Sequence, residues 1–189
     1  MFSGALKLFL LWETDDTMIR KIIFALLTGS FPAPEHFWLL REKIKKGGIF
    51  SSFWVLAYVR LMTRQNASIP LQTVIRGAPV FPHGQSGIFI SAHAEIGYDC
   101  TIFHQVTIGA NTLPASKNYG APMIGNNVYI GCGAKIIGRV RIGNQVRIGA
   151  NCIVTRDIPD NCTVVMNSPR VIQNSPFAEN THRGLDEIR

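Results

Sequence analysis

Charge is scarce in this chain, and acid is scarcer than base. Only 16% of its 189 residues are Asp, Glu, Lys or Arg, with 12 acids against 19 bases and a net charge of +7. Such a balance suits a phosphate-bearing ligand or an acidic surface, and ordinary proteins share it. The basic residues form no stripe interleaved with aromatics, which disfavours nucleic acid as a partner. Four cysteines occur, Cys100, Cys132, Cys152 and Cys162, and no two are spaced as Cys-x-x-Cys. Cys100 and Cys152 fall at small inward positions and read as packed thiols in a reducing cytosol, so a cytoplasmic protein is expected. Long apolar runs are short of what a membrane needs. Residues 47–59 carry no charge over 13 positions, against the roughly 20 of a spanning helix. Residues 9–12 are too brief for the apolar core of a secretion signal, and acids follow at once.

Residues 124–156 also lack the two ordinary periods, 3.6 for a helix and 2 for a strand. They carry a period of six instead: Ile124, Ile130, Ile136, Ile142, Ile148, Val154. Glycine follows four of these, at Gly125, Gly131, Gly143 and Gly149, where it would allow a turn that a Cβ opposes. Four residues after each inward position comes a second small or medium one: Val128, Ala134, Val140, Val146, Cys152. This pattern fits short strands wound three to a coil, a triangular parallel β-helix of roughly eighteen residues per coil. Stability then sums over neighbouring coils, each inward side chain resting on the one about 4.8 Å away.

The series begins earlier, at Ile69, Ile75 and Phe81, and slips by three before Ile90, Ile96, Ile102 and Ile108. The slip occupies residues 82–87. A second break, residues 110–123, is rich in Asn, Pro, Ser and Gly and reads as a loop leaving the prism. Departures from a regular solenoid are where function is usually placed. The organisation expected is a helical segment over residues 1–65, a β-helix over 66–172 and a flexible polar tail over 173–189. Three helices are predicted in the first segment. One follows the cap Asp15-Asp16-Thr17, with Ile19, Ile22, Ile23, Leu26 and Leu27 on one face; the others span 35–46 and 50–64. The segment carries a net charge of +4 and reads as a pack against the β-helix or another subunit, with peripheral membrane contact as the second reading.

At this level of detail the chain resembles the serine acetyltransferases, members of the hexapeptide-repeat acyltransferases. The likeness lies in IGCGAKIIGRVRIGNQVRIGANCIVTRDIPDNCTVV, WVLAYVRLMTRQNASIP, FPHGQSGIFIS and CTIFHQVTIG, and covers roughly residues 55–172. The resemblance implies a left-handed β-helix, a homotrimer with sites between subunits, acetyl-CoA as donor and no metal. It places the catalytic histidine on His83, inside the first slip. It also implies that CoA runs beside Gly109 and Ala110, Gly131 and Cys132, and Ala150, with Arg147, Arg170 or Lys117 near its phosphates. Cys132 is expected to face the pantetheine arm as a small residue and not to act as a nucleophile.

Two positions depart from the serine enzymes. The acid that orients their catalytic histidine falls on Ser68, and a second histidine, used on the amino-acid acceptor, falls on Ala121. The short relatives that acetylate surface polysaccharides, such as the colanic acid acetyltransferases, resemble this chain in length and in the form of GAPMIG. A saccharide hydroxyl is therefore the expected acceptor, with L-serine as the alternative. An imidazole suits the base at neutral pH, and backbone amides of a glycine-rich edge suit the oxyanion. His93 and His104 sit at outward positions of unbroken hexads and read as surface histidines. Two further readings are a γ-type carbonic anhydrase, whose close histidine pair is missing here, and a hexapeptide module without catalysis.

Overall fold

The computed structural model describes residues 34–48 and 51–173. Two helices lead into a prism of short strands. The first, α1, is Pro34–Lys46 and the second, α2, is Ser51–Arg64. Proline at the first helical position and Gly47 just past the end (φ 71°) bound α1 as the chemistry of helix ends demands. The predicted helix after Asp15-Asp16-Thr17 and the tail beyond residue 173 lie outside the described residues.

Twelve strands of two or three residues follow, β1 (Val74–Ile75) to β12 (Thr163–Val164). They form three parallel four-stranded sheets, the faces of a triangular prism. Face A stacks β2 (Phe89–Ile90), β5 (Thr107–Gly109), β8 (Lys135–Ile137) and β11 (Ile153–Val154). Face B stacks β1, β3 (Glu95–Ile96), β6 (Met123–Ile124) and β9 (Arg141–Ile142). Face C stacks β4 (Thr101–Ile102), β7 (Tyr129–Ile130), β10 (Arg147–Ile148) and β12. The register sets like on like: Ile90, Ile108, Ile136 and Val154 on face A; Ile96, Ile124 and Ile142 on face B; Ile102, Ile130 and Ile148 on face C. All of these are buried, as are Val128, Ala134, Val140, Val146 and Cys152 at the second position. Ile75 alone of the predicted inward series is only half-buried. The prism also runs one rung past Val154, because Val164 pairs with Ile148.

The corners correct one expectation. The glycines after each inward isoleucine do not adopt a left-handed turn. They are needed because the next coil lies too close: a Cβ on Gly125 would stand 2.7 Å from the Gly143 oxygen, and one on Gly131 would stand 2.7 Å from the Ala150 nitrogen. The left-handed residues come two positions later, at Asn127 (52°), Gly133 (69°), Gln145 (56°) and Asn151 (57°). Between faces B and C the corners are tied by a side-chain ladder. Asn126 Oδ1 accepts from Tyr98 N, Asn144 Oδ1 from Asn126 N and Asp160 Oδ1 from Asn144 N, at 2.9, 2.9 and 2.8 Å. These bonds offset the cost of a non-glycine residue at positive φ.

The helices close the first coil. Arg41 is only 1% exposed and meets no carboxylate among the described residues. Its guanidinium instead donates to the carbonyls of Pro70 (2.8 Å), Thr73 (2.8 Å), Leu71 (3.1 Å) and Ile69 (3.4 Å). Tyr58 OH accepts from the same group and donates to the Ile69 carbonyl. Around this clamp Phe37 stacks on Tyr58 at 5.6 Å and Trp38 on Phe81 at 5.4 Å, and Trp38 Nε1 donates to the Pro79 carbonyl at 3.1 Å. Among the described residues no helix is long and apolar enough to cross a membrane.

Burial pushes the Tyr58 phenol above its ordinary value, and the neighbouring Arg41 charge opposes this more weakly. The folded chain thus holds that proton more tightly than the unfolded one. Its contribution is complete below the unfolded value of about 10 and is lost as pH rises through the folded one. Urea midpoints should therefore fall from pH 8 to pH 11, and Tyr58→Phe should abolish part of that fall. Arg41→Met should lower stability by at least about 2 kcal/mol, because it strips several buried carbonyls of their donor.

Candidate active site

The catalytic candidate lies on the edge where face C turns into face A. Phe81 is buried beneath Trp38 and Phe37, and Ile88 is buried at the start of face A, so residues 82–87 must bulge outward between them. Gly84 takes φ 69° and donates its N–H to the Phe81 carbonyl at 3.1 Å, closing the turn. The bulge is stapled on both sides. Gly87 N donates to the Gln65 carbonyl below at 3.0 Å, and the Ser86 carbonyl accepts from Gln105 N above at 2.9 Å. His83 stands exposed on this fixed turn.

One coil on, the same edge carries Phe103 and His104. His83 Nδ1 lies 2.9 Å from His104 Nδ1, so one ring donates and the other accepts. The Phe103 ring meets His83 edge to face, with centroids 5.3 Å apart and planes at 89°, and Tyr129 leans on Phe103 at 5.1 Å. His104 is thus half-buried against the candidate base and is no lone surface histidine, contrary to the hexad reading. No motif announced this pair. The only signal was positional: the slip shifts residues 82–87 along the edge until they meet residue 104, on the next coil. His93 lies on a different corner and is exposed.

The next coil on the edge holds Gly131, Cys132 and Gly133, with Gly133 N donating to the His104 carbonyl at 3.0 Å. The one after holds Ala150 and Asn151, with Asn151 N donating to the Cys132 carbonyl at 2.8 Å. Gly131, Cys132 and Ala150 therefore form one column with the histidines. Gly109 and Ala110 sit at the far side of face A, where Gly138 N donates to the Gly109 carbonyl. There the excursion 110–122 is closed by the bridge of Asn111 to Gly120 and is held along the prism by Asn118 Nδ2 on the Thr155 carbonyl at 2.6 Å. Lys117 is exposed on it. Arg147 projects from face C, lining a groove with Asp99, Thr101, Tyr129 and Gln145, while Arg170 is exposed beyond the last strand. The expected donor residues thus fall in four places, two of them flanking face A.

Residues 121–156 match the bacterial transferase hexapeptide (six repeats) family. Serine acetyltransferase of Mycobacterium tuberculosis (strain ATCC 25618 / H37Rv) is 40% identical over 99 residues, which are 52% of this chain and 42% of that protein. Residues 121–156 are thus a hexapeptide-transferase repeat, and the coils around them are similar to those of the serine acetyltransferases. Entamoeba histolytica serine acetyltransferase isoform 3, solved with cysteine, superposes with a TM-score of 0.61 at 28% identity, covering 87% of this chain and 63% of that one. The Brucella abortus strain S19 enzyme, solved with coenzyme A, gives 0.57 at 26%, covering 72% and 52%. The prism has the left-handed β-helix fold of those enzymes. The chain spans about half the length of the curated relatives it matches.

The comparison overturns the expected saccharide acceptor and gives no support to the likeness to polysaccharide acetyltransferases. That expectation rested on the two departures, Ser68 and Ala121. Ser68 forms a backbone bridge to Phe89, and its N–H donates to the Ile88 carbonyl at 2.8 Å. His83 finds its polar partner in His104, so the missing acid says nothing about the acceptor. No group of three His, Cys, Asp or Glu placed to hold a metal occurs among the described residues.

The close approach at Gly131 gives a test of the column. In Gly131→Ala the new methyl would press on Ala150 N, so the two coils must part. The expected loss is about 1–3 kcal/mol in urea denaturation, as for other overpacked interiors.

Proposed function

We propose that this chain is an acetyl-CoA-dependent O-acetyltransferase acting on the hydroxyl of L-serine, with His83 as general base. The observation that carries this reading is the exposed His83 imidazole, held on a stapled turn of a prism homologous to serine acetyltransferases. The base takes the hydroxyl proton on Nε2 as the oxygen attacks the thioester carbonyl. The new C–O bond forms, the C–S bond breaks, and the proton passes from His83 to the departing CoA sulfur. Backbone amides of the glycine-rich edge supply donors for the oxyanion. No acyl-enzyme is needed when both substrates are bound together.

Gly131, Cys132 and Ala150 share the edge with His83 and are the residues proposed to lie along the pantetheine arm. Gly109, Ala110 and Lys117 border face A from the other side. Arg147 and Arg170 are the cations proposed for the phosphates. The Cys100 thiol is pushed up by burial, and Cys152 is buried too, which leaves Cys132 as the partly exposed thiol of the edge. All four thiols are free, which supports a cytoplasmic enzyme. A homotrimer that completes each site between two prisms belongs to the same proposal, and sedimentation should give about three chains.

His83→Ala should lower acetyl transfer to L-serine by roughly 10²–10⁴, the usual worth of a positioned base. CoA binding measured by calorimetry should barely change, and His93→Ala should keep most activity. A wild-type chain that leaves L-serine unacetylated, or a His83→Ala chain of near-full activity, would defeat the reading. Saturating CoA should also slow alkylation of Cys132 by iodoacetamide while leaving Cys162, at the far end of the prism, as reactive as before.

A further inference from the structure

The contact between the two imidazoles has a chemical content of its own. A neutral imidazole carries one N–H and one lone pair. Two neutral rings that meet through their Nδ1 atoms at 2.9 Å must therefore be opposite tautomers. One is protonated on Nδ1 and the other on Nε2. Which nitrogen of a catalytic histidine carries its proton is set by the partner of the other nitrogen. For His83 that partner is His104.

We propose that His104 is a positioning residue that fixes the tautomer and ring orientation of His83. In this arrangement His83 donates from Nδ1–H to the His104 Nδ1 lone pair, and its Nε2 lone pair faces outward to receive a proton. When that proton arrives His83 becomes an imidazolium, and the bond to His104 becomes charge-assisted, roughly twice as strong as a neutral one. The contact thus tightens in the step that needs it.

The surroundings favour this direction of control. His104 belongs to a rung: the Phe103 N–H donates to the Ile130 carbonyl at 3.0 Å, and Gly133 N donates to the His104 carbonyl at 3.0 Å. His83 belongs to a turn. The rigid element therefore orients the ring on the bulge. Phe103 closes the side of His83 towards face C, and Lys135 commits its ammonium to the Gln105 carbonyl at 2.7 Å. Ser68 cannot share the task, since its hydroxyl has no hydrogen bond among the described residues.

The proposal rests on the acetyltransferase reading for its kinetic consequence, and the test separates the two. In full-length protein, His104→Leu removes the acceptor and His104→Asn restores one, the Asn side-chain carbonyl reaching the same place as Nδ1. With acetyl-CoA and L-serine, kcat of His104→Leu should fall by about 10–10³-fold, up to the lower part of the range for losing the base itself. KM for L-serine and affinity for CoA should stay within about threefold, and His104→Asn should recover most of the rate. Urea midpoints establish that each variant is folded. Independently of any activity, nitrogen-15 NMR of the ligand-free protein should show His83 as the Nδ1–H tautomer, turning to Nε2–H in His104→Leu. A His104→Leu rate within twofold of wild type, an Asn variant no better than Leu, or Nε2–H on His83 in the wild type would overturn the assignment. If L-serine is not acetylated at all, the functional reading fails, and the tautomer result still decides the pair.

Discussion

Everything in the prism depends on like side chains lying on like side chains in parallel register. Ile90, Ile108 and Ile136 stack up one face, and Ile102, Ile130 and Ile148 up another, each spaced by the backbone hydrogen bonds that join the rungs. The strands are only two or three residues long and would have no stability alone. Burying each isoleucine fully is worth roughly 1.5–3 kcal/mol. The contribution accrues only where the rung above and the rung below present the same branched surface. That condition holds the backbone on a fixed path, so any residues that leave the period are delivered to a defined place on the outside.

The period of six made the fold readable, because one aliphatic residue per side and no competing helical or strand period leaves few other structures. The slip at residues 82–87 was readable for the same reason, and His83 with it. What could not be read was which residue on the next coil would meet the slip. His104 has the sequence context of an ordinary outward position, and only the three-residue shift brings it to His83. Arg41 was hidden too. A basic helix predicts solvated charge, yet here four carbonyls of the first coil take the guanidinium inside.

The partner of His83 shows how a contact can be supplied from elsewhere in the chain. Ser68 and Ala121 were read against a pattern in which particular positions carry the polar groups, and their absence pointed away from serine. The structure puts an imidazole nitrogen beside His83 from a different coil, and the matching coil is similar to that of serine acetyltransferases. In a solenoid, positions one coil apart are spatial neighbours, so a function can be supplied from a residue far along the chain. The glycine correction has the same origin: Gly125 and Gly131 answer to the coil above them and not to their own φ.

The Arg41 clamp also bears on how copies of the chain avoid one another. Ser68 offers its backbone to Ile88 and Ile90 on the second coil, so the alternating carbonyl of Ile69 points the other way, out of the end of the prism. An uncovered rung of that kind is a template on which the last coil of another molecule could continue the stack, and filaments would grow head to tail. With the carbonyls of Ile69, Leu71 and Thr73 already bound to a guanidinium and Phe37 stacked on Tyr58 beside them, a foreign strand finds these three acceptors taken. At this end the helical lid works as a chain terminator for a polymer that the repeat would otherwise propagate.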